Sequence, residues 1–131
     1  MTTTAKDTVQ TTNLVPSFTV DDIQRSIAFY EGLGFSVEER WEEQGTLMGV
    51  MLRAGNLRLG LSQDDWKKGR DRKKGVGVRV FIGTAQVDEV AARARAAGIT
   101  LDTEPHDTEW KSRAFEVTDP SGFLLTISNE M

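Results

Sequence analysis

The stretch VDDIQRSIAFYEGLGFSVEE, Val20 to Glu39, decides the fold because its pattern returns later in the chain. Ile23, Ile27, Tyr30 and Leu33 recur at helical spacing, and Gly34 follows where a helix stops. Asp21 supplies a capping oxygen, and Gln24 three residues on completes a predicted capping box. Shifted by 64 residues, the landmarks coincide with TAQVDEVAARARAAGITLDTE, Thr84 to Glu104: Ile23 falls on Val87, Gly34 on Gly98 and Val37 on Leu101.

Working outward, each copy sits in the same frame. Strands are predicted over 14–20, 35–41, 46–54 and 57–62 in the first half. In the second they are predicted over 75–82, 99–103, 112–118 and 123–128. "DPSG", Asp119 to Gly122, places Pro second and Gly fourth, as a type I turn prefers. The reading is α+β: two βαβββ modules forming a curved eight-stranded mixed sheet, with helices on its outer face. Residues 1–12 are Thr-rich and non-periodic and read as a disordered tail. Residues 13–131 form one domain: module one 13–63, an exposed polar and basic linker 64–74, and module two 75–131.

Period-2 alternation then separates two faces. Phe18, Val20, Leu57, Leu59, Leu61, Val78, Val80, Ile82, Phe123, Leu125 and Ile127 are predicted core. Their neighbours, Ser17, Arg58, Gly60, Arg79, Phe81 and Thr126 among them, face a concavity.

Bulk properties exclude several classes. The 131 residues carry a net charge of −4 and no cysteine, so disulfides, thiolate metal sites and a Cys nucleophile are excluded. That composition predicts a reducing, cytoplasmic setting. No apolar run is long enough to span a membrane, and the first residues lack the apolar segment of a secretory signal. The basic run KKGRDRKKG, Lys67 to Gly75, has no interleaved aromatics and reads as a solvated linker, not a nucleic-acid site. The acidic runs EERWEE (38–43) and DTEPHDTE (102–109) read as solvated loops at a cleft rim. No phosphate loop, nucleophile elbow or dinucleotide motif is present.

With both motifs in view, the chain resembles the vicinal oxygen chelate superfamily of glyoxalase I, extradiol dioxygenases and bleomycin-resistance proteins. Val20–Val37 is similar to its V-x-D-x-x-x-S-x-x-F-Y-x-x-L-G-F motif, and Arg113–Ile127 to its F-x-x-x-D-P-x-G strand-turn-strand. The resemblance covers about residues 14 to 128 and implies the paired-module fold.

It also implies four places where metal-dependent members carry a ligand. These fall on Val15, Gly60, Gly77 or Arg79, and Thr126. Val and Gly offer no donor, Arg repels a cation and one Thr hydroxyl is a poor ligand. Neither metal nor cofactor is therefore expected, and no catalytic residue is assigned. The pattern is closest to the metal-free bleomycin-resistance branch, which implies a homodimer with clefts completed by the partner copy.

The expected function is metal-independent binding or sequestration of a small, partly aromatic molecule, an antibiotic among the candidates. Trp110, Thr126, Arg58, Arg79, Phe81, Ser17 and Trp41 are the candidate ligand-binding residues: aromatic faces to stack, cations and hydroxyls to orient. Two arginines in the concavity conflict with a strongly cationic ligand unless they pair with Glu116 or another carboxylate. The alternative is a metal-dependent glyoxalase- or dioxygenase-like enzyme whose ligands are displaced to His106, Asp107, Glu109 or Glu116.

Overall fold

The structure, a computed structural model, describes residues 7–129. The part of the expected tail at Met1–Lys6, and the chain end at Glu130–Met131, lie outside the described residues. The order is β1 (Ser17–Val20), α1 (Ile23–Leu33), β2 (Ser36–Glu43), β3 (Thr46–Ala54) and β4 (Leu57–Gln63). It repeats as β5 (Arg79–Gly83), α2 (Val87–Ala96), β6 (Thr103–Asp107), β7 (Arg113–Thr118) and β8 (Leu124–Ser128). The eight strands form two four-stranded sheets, β1-β4-β3-β2 and β5-β8-β7-β6. Each sheet is mixed: β1 with β4 and β5 with β8 run parallel, and the other pairs are antiparallel. Among the described residues no helix is long and apolar enough to cross a membrane.

The repeat extends to the backbone. Gly34 and Gly98 both adopt the left-handed conformation that ends a helix without a Cβ penalty. Phe35 N–H then bonds Tyr30 O at 3.0 Å, and Ile99 N–H bonds Ala94 O at 2.9 Å, the same closure in each half. The helix start differs from expectation. Asp22, not Asp21, is the N-cap of α1 and accepts from Arg25 N–H at 3.2 Å. Asp21 is turned instead toward Lys74.

One apolar cluster joins the halves. Phe18 of β1 stacks on Phe123 beside β8, with centroids 4.0 Å apart and planes 5° from parallel. Ile23, Ile27, Tyr30 and Leu33 bury the predicted stripe of α1; of the stripe expected on α2, Val87, Ala91 and Ala94 are buried, Val90 is half-buried and Ala97, past the last turn, is exposed. Full burial of one such aliphatic or aromatic side chain contributes roughly 1.5–3 kcal/mol. Tyr30 also donates its hydroxyl across the halves to Asp119 Oδ2 at 2.8 Å. Burial, then the charge of Asp119, pushes the Tyr30 phenol well above its ordinary value.

Two predicted core positions fail. Leu57 and Val78 are 42% and 44% exposed. Leu57 opens β4, and Val78 lies ahead of β5 because Gly75 and Gly77, both at positive φ, delay the strand to Arg79. The strand expected over 99–103 forms at Thr103–Asp107, since Ile99 is spent closing α2. Both acidic runs, expected as loops, lie largely within β2 and β6.

The linker is also not simply exposed. The Lys74 side chain is 4% exposed, with its ammonium 2.8 Å from Asp64 and in contact with Asp21. The same ammonium sits 4.8 Å from the Trp66 ring, as does the Arg70 guanidinium. Trp66 therefore packs on its own linker.

Candidate functional site

The concave face of β5–β8 carries a cleft of about 610 Å³. β5 and β8 pair in parallel with Phe81 beside Thr126, so both project onto this face. Glu116 of β7 lies opposite Thr126 on the other side. Arg79 reaches across the floor, donating to Glu116 Oε2 at 2.5 Å and to Thr126 Oγ1 at 3.3 Å.

The wall comes from the tip of the β6–β7 hairpin. Thr108 Oγ1 accepts from Trp110 N–H at 3.2 Å and Ser112 N–H at 3.3 Å, and lies 2.7 Å from Ser112 Oγ. Lys111 takes a positive φ to complete this tight turn. Trp110 is left 75% exposed at its apex. The hairpin base is tied by Arg113, which donates to both oxygens of Asp88 at 2.8 and 3.0 Å and to Asp107 Oδ1 at 3.1 Å. The Arg113 hydrogen bond holds the Asp88 carboxyl below its ordinary range, and the bonds to Asp88 and then Asp107 raise Arg113 above its own.

Of the seven candidate residues, Trp110, Thr126, Arg79 and Phe81 line this cleft together. Arg58 lines a second, neighbouring cleft, which Arg79 and Phe81 also border. Ser17 and Trp41 line neither. Ser17 Oγ occupies the space beside Gly60, and the Trp41 ring packs over Gly49. Both arginines have acidic partners: Arg79 with Glu116, and Arg58 with Glu38 at 2.7 Å. The Glu38 carboxyl is held below its ordinary range, chiefly by its hydrogen bond from Arg53. Glu116, His106, Thr108, Ser112, Ala114 and Ser128 complete the lining of the first cleft. The β6–β7 hairpin that gathers Thr108, Ser112 and Ala114 was not predicted.

The strand registers relate the four places that the resemblance implies to one another. Ser17 pairs with Gly60, and Phe81 pairs with Thr126. Val15 and Arg79 each stand two residues ahead of the paired position, so Arg79, not Gly77, is the counterpart of Val15. The set Val15, Gly60, Arg79 and Thr126 has one weak neutral donor and a fixed cation, and does not fit a divalent metal. A side chain added at Gly60 would place its Cβ 3.1 Å from Ser17 Oγ.

The displaced donors form no metal-binding group of three among the described residues, although His106 and Glu116 line the same cleft. His106 Nδ1 lies 2.8 Å from Glu104 O, Asp107 binds Arg113, and Glu116 binds Arg79. Among the described residues no group of three or more His, Asp or Glu is placed to hold a metal.

A search of solved structures places this fold among known ones. TioX from Micromonospora sp. ML1 superposes with a TM-score of 0.75 at 21% identity, over 92% of this chain and 100% of that one. A bleomycin-binding protein complexed with bleomycin gives 0.67 at 20% identity, with the same coverage. A bleomycin resistance determinant encoded on transposon Tn5 gives 0.68 at 21%, again over 92% and 100%. At these identities the likeness shows the fold alone. No curated protein matches the sequence. The family profile described as Glyoxalase/Bleomycin resistance protein/Dioxygenase superfamily matches residues 10–127, nearly the whole length. The chain belongs to the glyoxalase/bleomycin resistance protein/dioxygenase superfamily.

Proposed function

We propose that the cleft on β5–β8 binds a small, partly aromatic molecule without a metal, and that the protein acts by sequestration, not turnover. One observation carries this reading. Two exposed aromatic side chains, Trp110 at 75% and Phe81 at 54%, border the same cleft, in which Arg79 and Glu116 are paired. Large exposed aromatics cost hydration free energy unless a partner covers them. The Arg79–Glu116 pair removes the objection that arginine poses to a cationic ligand, because the floor carries no net charge from this pair. The fold shared with a protein crystallised with bleomycin supports an antibiotic as one candidate.

A second copy of the chain closes the cleft in this proposal, in a cytoplasmic homodimer. Trp110, Phe81 and Trp41 would then be shielded by the partner and the ligand. Light scattering at tens of micromolar checks the assembly. A species of twice the 14.5 kDa chain mass supports it, and a species of only 14.5 kDa removes the shared cleft. The ligand reading is tested by titrating aromatic small molecules, bleomycin among them, into chelator-treated protein while following tryptophan emission. Saturable quenching, with an affinity that Trp110→Ala weakens several-fold to about tenfold, supports the cleft. Chelator-sensitive turnover would replace it with an enzyme.

A further inference from the structure

A second cleft, of about 820 Å³, lies in the seam between the halves and meets the first across Arg79 and Phe81. Its apolar lining comes from both cores, with Phe35, Leu57 and Leu59 on one side and Val80, Ile82 and Leu125 on the other. The extended segment Thr12–Pro16 closes one flank. Arg53, Arg58 and Arg79 also line it, and among the described residues no carboxylate does.

Charge decides what such a seam takes. Arg53 and Arg58 share Glu38, at 2.5 and 2.7 Å, and Arg79 holds Glu116 at 2.5 Å. Three cations against two carboxylates leave one positive charge beside an apolar cavity. Each guanidinium has five N–H donors, and these ion pairs use only some of them. Arg58 Nε is buried without a hydrogen-bond partner among the described residues. A buried donor left unmade is a standing cost, relieved when a shift of the guanidinium brings an acceptor to it. The volume is in the range of small-molecule sites.

We propose that this seam binds an amphiphile with one anionic group: an apolar chain between the half-cores and a carboxylate on the arginine rim. The site shares Arg79 and Phe81 with the aromatic cleft but has no tryptophan in its lining, so Trp110 distinguishes the two.

The test uses decanoate, 1-decanol and decyltrimethylammonium, each below its aggregation limit, with the full-length protein followed by amide NMR. Decanoate is expected to shift the amides of Leu57, Val80 and Ile82 saturably. It should bind about tenfold more tightly than decanol, since a charge-assisted bond is roughly twice as strong as a neutral one. The ammonium should not bind there. Arg58→Gln should weaken decanoate several-fold, as should Leu57→Glu at the partly exposed mouth, while Trp110→Ala should leave it unchanged. Equal binding of decanoate and decanol overturns the anionic rim. Absence of shifts at those amides, or loss on Trp110→Ala, overturns the seam. A dimer that covers these amides and excludes decanoate also overturns it, and assigns the seam to the partner copy.

Discussion

Gly75→Ala perturbs the point where the linker crosses the turn between β7 and β8. Gly75 has φ +79°, and a Cβ there would lie 2.2 Å from Gly122 O, 2.6 Å from Gly122 C and 3.0 Å from Phe123 Cα. All three are backbone atoms, so no side chain can swing aside. Gly122 is constrained in return: its φ is +107°, and an added Cβ would lie 2.9 Å from Lys74 O. The left-handed conformation costs a non-glycine residue about 1–2 kcal/mol. Overpacking against immobile neighbours adds about 1–3 kcal/mol. Gly75→Ala should therefore lose about 2–5 kcal/mol, a large part of the roughly 5–15 kcal/mol that holds a domain together. Gly98→Ala is the matched control, because Gly98 has φ +84° but nothing within 4 Å of the added Cβ. Only the conformational cost of about 1–2 kcal/mol applies to it. Urea unfolding followed by circular dichroism measures both. If Gly75→Ala loses no more than Gly98→Ala, the close backbone crossing at Gly122 does not constrain Gly75.

Tyr30→Phe removes the 2.8 Å bond to Asp119 inside the core and should cost about 1–3 kcal/mol, read as a lower urea midpoint at unchanged slope. Asp64 is held at about 2, below its ordinary 3.8, first by the Lys74 hydrogen bond and then by the Trp66 N–H. Its folded value is depressed, so its contribution is complete above about pH 4 and fades as pH falls toward 2. The urea-midpoint gap between wild type and Asp64→Asn should shrink across that window, and a constant gap would contradict the pairing. Trp110→Ala should weaken the aromatic ligand several-fold to about tenfold while changing stability by less than about 0.5 kcal/mol, since Trp110 packs on no core. Thr126→Glu should disturb that ligand and still give no tight zinc or manganese binding by calorimetry, because Val15 and Gly60 add no donor.

Local signals were more legible in the sequence than non-local ones. Gly34, Gly98 and the Asp119–Gly122 turn sit where their spacing predicts, because each is decided within a few residues. The choice between Asp21 and Asp22 as N-cap was not local. Lys74, 53 residues away, draws Asp21 aside, and two adjacent aspartates look alike until it does. Val78 continues the alternation of β5, yet the positive φ of Gly75 and Gly77 keeps it out of the strand. The concave positions of Arg79, Phe81 and Thr126 followed from period 2 alone. Glu116 was expected as an arginine partner and meets Arg79 from 37 residues away, whereas Glu38, which meets Arg58, was not named because that pairing depends on strand register. The seam cleft had no pattern of its own, because core-type residues such as Leu59 and Leu125 line it.

Native mass spectrometry of chelator-dialysed protein, with bleomycin and other aromatic small molecules added, tests metal-free binding in the β5–β8 cleft most directly. Wild type should carry one bound molecule per cleft, unaffected by chelation and weakened in Trp110→Ala and Phe81→Ala alike. Binding or turnover that vanishes on chelation and returns with a divalent ion would contradict it, as would binding that both substitutions leave intact.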